Sequence, residues 1–140
     1  MWRAIEALGA VRIRHGIRAI EDPALMREIR DRAIVLDICP VSNLRTRAVA
    51  SPEEHPLPQL VEFGIPCSIS TDDPEMFDTD LTRDYELATS FGISPRTFYE
   101  AGLKGALCDA ETKNHLNDIG QAYSWPNGTA LRPPRHSYPP

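Results

Sequence analysis

Cysteine is scarce in this chain: three in 140 residues, Cys39, Cys67 and Cys108, with no Cys-x-x-Cys pair. An odd number at wide spacing argues against a disulfide framework or a zinc finger. Reduced thiols in a cytoplasmic protein are the expected state. Positive charge is also short, with 15 Lys and Arg against 20 Asp and Glu and a formal net charge of -5. No basic run forms a patch, so nucleic acid and membrane surfaces are not expected partners. No apolar stretch is long enough to cross a bilayer, and the opening MWRAIEALGA lacks the continuous apolar core of a signal peptide. Histidine is limited to His15, His55, His115 and His136, with no His-x-His and no pair three or four residues apart. A catalytic zinc takes about three protein ligands plus water. The chain offers too few nitrogen donors for one.

What is present is an alternation of strand and helix. Trp2, Ile5 and Leu8 recur at helical spacing before Gly9. Val11 to His15 alternates apolar and polar residues and reads as a strand ending at Gly16. Asp22-Pro23 is a helix start, Asp as N-cap and Pro at the first helical position. Ala33 to Ile38 is an apolar run suited to a strand covered on both faces. After Cys39-Pro40 the residues VSNLRTRAVASPEE read as a polar loop. A helix follows from Leu57 to Phe63, then a strand from Ile65 to Ser70, then a turn at Thr71-Asp72-Asp73-Pro74. Leu81 to Ser90, Pro95 to Ala106 and Asp109 to about Asn117 are helical in pattern. Gln121 to Pro140 holds five of the 13 prolines and reads as a disordered tail, leaving residues 1–120 as the domain. The order predicts an α/β fold with parallel strands. Three strands alone leave unpaired edges and a poorly covered apolar face.

The polar residues worth noting stand at strand ends: His15 after the first, Cys39-Pro40 and Ser42-Asn43 after the second, Asp72 and Asp73 after the third. In a parallel sheet the carboxyl ends form one rim, where ligands bind. Each residue also has a bland reading. A lone histidine is more often structural, Asp72-Asp73-Pro74 can simply start a helix, and Cys39 by default is a small buried apolar residue. His55 before Pro56 reads as helping to start a helix. His115 and His136 carry no signal.

Taken together, Arg12-Ile13-Arg14-His15-Gly16, Glu21-Asp22, Ile38-Cys39-Pro40-Val41-Ser42-Asn43, His55-Pro56 and Ser70-Thr71-Asp72-Asp73-Pro74 with Phe77 resemble, in order and spacing, the later motifs of the adenosine deaminase family. The resemblance runs from about Trp2 to Leu116. It implies the carboxy-terminal part of a TIM (β/α)8 barrel, strands six to eight with flanking helices, and therefore an incomplete barrel. It also implies hydrolytic deamination of adenosine or a related purine nucleoside by a zinc-bound hydroxide. On the matching positions His15 is the catalytic histidine that orients the zinc-bound water, Asp72 the aspartate at the metal, and Asp73 the aspartate that binds the purine ring.

The family's His-x-His pair, a further histidine and a glutamate are not in this chain, so the remaining Zn2+ ligands are absent. Arg14 stands where the family commonly has glycine, and a bulky cation there can crowd the metal or point outward. The expectation is a portion of a longer enzyme, inactive alone, with a missing N-terminal half as partner and a partly unfolded isolated state. The alternative is a non-catalytic relic or partner-dependent interaction module.

Overall fold

Three parallel strands, β1 (Arg12–Arg14), β2 (Val35–Ile38) and β3 (Cys67–Ile69), pair in the order β1-β2-β3 in a computed structural model that describes residues 1–126. The register places Ile13 beside Leu36 and Leu36 beside Cys67, and likewise Arg14 beside Asp37 and Asp37 beside Ser68. Side chains alternate along a strand. One face of the sheet is therefore aliphatic, with Ile13, Leu36, Ile38, Cys67 and Ile69. The other carries Arg12, Val35, Asp37 and Ser68.

The aliphatic face is covered by the two crossover helices, α2 (Pro23–Asp31) and α4 (Leu57–Glu62). Asp22 caps α2 as its sequence predicts, accepting the N–H groups of Ala24 and Leu25 at 2.9 and 3.1 Å. Trp2 on α1 (Trp2–Glu6) donates its indole N–H to the same carboxylate at 2.9 Å and ties the first helix to the cap. Leu25, Met26 and Ile29 then point inward with Leu57 and Leu60 onto Leu36 and Ile38, forming one buried cluster. Fully burying each of these side chains contributes about 1.5–3 kcal/mol.

The second face is also covered, contrary to the expectation of an open apolar surface. Helix α7 (Pro95–Lys104) lies against it. Phe98 and Ala101 are buried, and Gly102 and Gly105 bring the backbone onto the sheet. A Cβ at Gly102 would sit 3.7 Å from the Ser68 Cβ, and one at Gly105 only 2.8 Å from Val35 Cγ2. The Arg12 guanidinium reaches the carbonyl of Gly105 at 3.4 Å. Helices thus sandwich the sheet. Between β3 and α7 come the short α5 (Pro74–Phe77) and α6 (Leu81–Ser90), the latter packed on α3 (Pro40–Arg45) and β3.

Two further sequence expectations are corrected. The stretch after Cys39-Pro40 is not all loop: α3 (Pro40–Arg45) occupies its first part, and Pro52–Glu54 forms a short 3-10 helix. The last helix, α8 (Ala110–Ala122), runs past the expected end near Asn117. Trp125 packs back on Tyr99, ring centroids 5.1 Å apart, and donates to the Gly120 carbonyl at 2.8 Å. The rest of the expected tail, 127–140, lies outside the described residues.

Candidate active site

At the end of β1 the backbone turns sharply. His15 and Gly16 are both left-handed, with φ of 60° and 76°. A histidine at positive φ is uncommon. Its N–H still donates to the Asp37 carbonyl at 2.8 Å, so the strand ladder continues while the side chain is re-aimed at the rim. Gly16 is required there twice over: its φ disfavours a side chain, and a Cβ would lie 2.9 Å from Leu36 Cδ2.

The end of β2 runs directly into α3, which carries Ser42 and Asn43, both buried. The end of β3 leads through Ser70, whose N–H donates to the Ile38 carbonyl at 2.8 Å, to Asp72. These three segments meet. Ser42 Oγ–H donates to Asp72 Oδ2 at 2.7 Å, and His15 Nε2 stands 3.6 Å from the same oxygen. The His15 and Asp72 side chains are 37% and 31% exposed, enough to be reached from solvent. Both line a cavity of about 430 Å³ together with Ile13, Arg14, Ser42 and Asn43.

Arg14 points onto the rim. Its Nη2 donates to the Thr71 carbonyl at 2.5 Å, lies 3.4 Å from the Asp72 carbonyl oxygen, and is 4.0 Å from Asp72 Oδ1. The Asp72 carboxylate is therefore flanked by an imidazole, a hydroxyl and a guanidinium. Asp73 is exposed and N-caps α5, its Oδ1 accepting the Met76 N–H at 2.9 Å. The helix-starting role considered for the Asp-Asp-Pro turn falls to Asp73, while Asp72 turns to the rim.

His55 is buried and starts α4 as expected: the Leu57 N–H donates to its Nδ1 at 3.1 Å. That leaves Nε2 to carry the proton, which it presents to Asn43 Oδ1 at 3.2 Å. The ring stacks on Phe91 with centroids 5.4 Å apart. Burial pushes its pKa down to about 4, so it holds Asn43 as a neutral imidazole.

Two polar groups escaped the reading of sequence. Asp37 sits in the middle of an apolar strand and accepts from Ser68 Oγ–H at 2.8 Å, with Arg12 Nη2 at 3.0 Å. Its only signal was a charge inside the run AIVLDI. Asp84 on α6 is fully buried; it accepts the Val41 N–H at 3.0 Å and the Thr79 hydroxyl at 3.2 Å, and burial raises its pKa to about 6. Nothing in the pattern of α6 marked it. Asn43 was noted with Ser42 and proves to be the partner of His55.

The donors do not make a metal site by themselves. Among the described residues no group of three or more His, Cys, Asp or Glu is arranged to hold an ion. His15 and Asp72 supply two donors where a catalytic zinc takes about three plus water. Cys39 and Cys67 are no substitute: both are buried, and desolvation pushes each thiol up to about 12. What the arrangement offers is an imidazole beside a carboxylate at a solvent-reached rim, a pairing suited to moving a proton.

Comparison with known proteins gives a consistent picture. The family model described as adenosine deaminase matches residues 1–122. An aminodeoxyfutalosine deaminase of Acidothermus cellulolyticus is 57% identical over 126 residues, covering 90% of this chain and 35% of that protein. An adenosine deaminase of Aliivibrio fischeri is 40% identical over 124 residues, covering 85% and 37%. Among solved structures, an adenine deaminase from Arthrobacter aurescens superposes with a TM-score of 0.80 at 28% identity, over 86% of this chain and 38% of that one. An amidohydrolase from Burkholderia ambifaria, solved with bound zinc, gives 0.71 at 25% identity, over 86% and 38%. The chain spans about a third of the length of these relatives.

Proposed function

Because this chain belongs to the adenosine deaminase family, we propose that it forms the carboxy-terminal part of a hydrolase that removes the amino group of adenosine or a related purine nucleoside. The observation that carries the reading is the meeting of His15, Ser42 and Asp72 from three strand ends at one rim. In it His15 orients the attacking water and exchanges a proton with it, and Asp72, steadied by Ser42, would be the aspartate at the metal. Asp73 hydrogen-bonds the purine ring, its Oδ1 already committed to α5. The reading includes Zn2+, which lowers the pKa of a bound water when present. Its further ligands would come from outside this chain, as would a glutamate for the base. A cytoplasmic location is part of the same proposal.

The strands take the places of the sixth to eighth of a (β/α)8 barrel. The interior of such a barrel is filled by strand side chains, with helices outside. In this chain α7 covers the Val35–Ser68 face. The non-catalytic alternative, a truncated relic or partner-dependent interaction module, draws on the same helix, which covers that face while β1 and β3 keep unpaired edges among the described residues.

A chimera decides between them. Residues 1–122 replace the matching third of the Acidothermus cellulolyticus relative, and ammonia release is measured with adenosine and with aminodeoxyfutalosine. Activity that falls about 10²–10⁴-fold in His15→Ala supports the deaminase reading. A folded chimera that releases no ammonia from either substrate overturns it.

A further inference from the structure

Helix α3 has no cap of its own. Its N-cap is Cys39, which makes no side-chain capping bond, and Pro40 at its first position has no N–H. The first free donor is the Val41 N–H, buried where water cannot satisfy it. A buried unpaired donor costs about 1–3 kcal/mol. The partner comes from 43 residues further on: Asp84 Oδ1, at 3.0 Å. Asp84 is itself 0% exposed, and its other oxygen accepts from the Thr79 hydroxyl at 3.2 Å. No cation pairs with it among the described residues. A carboxylate is an expensive way to fill that space, so its position asks for a reason beyond packing.

The neighbour of Val41 supplies one. Ser42 is the next residue on α3, and its hydroxyl holds Asp72 Oδ2 at 2.7 Å, the oxygen that faces His15. We propose that Asp84 is a positioning residue of the His15–Asp72 pair: by fixing the first turn of α3 from α6, it sets where the Ser42 hydroxyl meets Asp72. The chain of contact runs Asp84 to Val41 N–H, along one residue of backbone to Ser42, and from Ser42 to Asp72. This rests on the reading of His15 and Asp72 as the site, and it adds a residue that touches neither.

The test uses the 140-residue chain and the NMR resonances of the His15 ring at fixed pH. Ser42→Ala cuts the last link and gives the reference displacement. Asp84→Leu, which fills the space without an acceptor, is expected to move the His15 resonances in the same direction and to at least half that extent. The double variant adds nothing further. Asp84→Asn keeps an acceptor for Val41 and leaves them at wild-type positions. Asp84→Glu keeps charge and acceptors but lengthens the link by one methylene. It is expected to move the resonances too, and it stands in if Asp84→Leu does not fold. Unmoved His15 resonances in a folded Leu or Glu variant overturn the proposal, as do additive displacements with Ser42→Ala. An inactive chimera with coupled resonances would sink the deaminase reading and leave the positioning role standing. An active chimera with uncoupled resonances would do the reverse.

Discussion

The approach of α7 to the sheet can be tested at one contact. Gly105, at the end of α7, has ordinary negative φ, -85°, so its backbone accepts alanine. Space does not: the added Cβ would lie 2.8 Å from Val35 Cγ2 and 3.0 Å from Val35 Cβ. Overpacking of this kind costs about 1–3 kcal/mol. Replacing glycine returns up to about 1 kcal/mol of chain entropy. Gly105→Ala should therefore destabilise the chain by about 1–2 kcal/mol. With a urea m-value of about 2 kcal/mol/M the midpoint falls by about 0.5–1 M. Val35→Ala removes both γ-carbons, so Gly105→Ala should cost less on that background. The double-mutant cycle should show a coupling of about 1 kcal/mol. The assay is urea unfolding of the four proteins followed by far-ultraviolet circular dichroism. A stabilising Gly105→Ala, or strict additivity with Val35→Ala, would refute the docking of α7 on this face. A wild-type chain without a cooperative transition would refute it as well. That last result is what a sheet with an open face would give.

Two buried ionisable groups should give opposing pH dependences. His55 is depressed to about 4 from 6.5. The unfolded chain binds the extra proton between those values, so the contribution of His55 is present above about pH 6.5 and lost as pH falls toward 4. Asp84 is raised to about 6 from 3.8, so the folded chain holds the extra proton and stability falls as pH rises from about 4 to 6. Asp84→Asn should then show stability rising more steeply with pH across this window than wild type, and His55→Gln should show it falling. Urea midpoints at pH 4, 5, 6 and 7 check both, and unchanged slopes would count against the burial of these groups. Among the thiols, Cys108 is exposed while Cys39 and Cys67 are buried and raised to about 12. An aromatic disulfide reagent should label one thiol per native chain at neutral pH and three in denaturant. Rapid labelling of all three in the native chain would contradict the packed core.

The sequence by itself determined whatever depends on neighbours in the chain. The parallel α/β order follows from apolar runs of strand length separated by helical periods. Asp22-Pro23 carries its own cap and turn, so α2 begins where the residues say. His15, Ser42 and Asp72 were legible because motif order places them after successive strands, and carboxyl ends share a rim. The structure alone decided what depends on distant contacts. Helix α3 read as loop because its cap, Asp84, lies on another helix, and a window of local sequence contains no trace of it. The division between Asp72 and Asp73 is a matter of backbone direction at the turn, which two identical side chains cannot announce. Asp37 is tolerable in an apolar strand only because Arg12 and Ser68 arrive on the same face. The side of the sheet on which α7 settles is chosen by the close fit of Gly102 and Gly105 to Ser68 and Val35, a choice between two faces that hydrophobic periodicity cannot make.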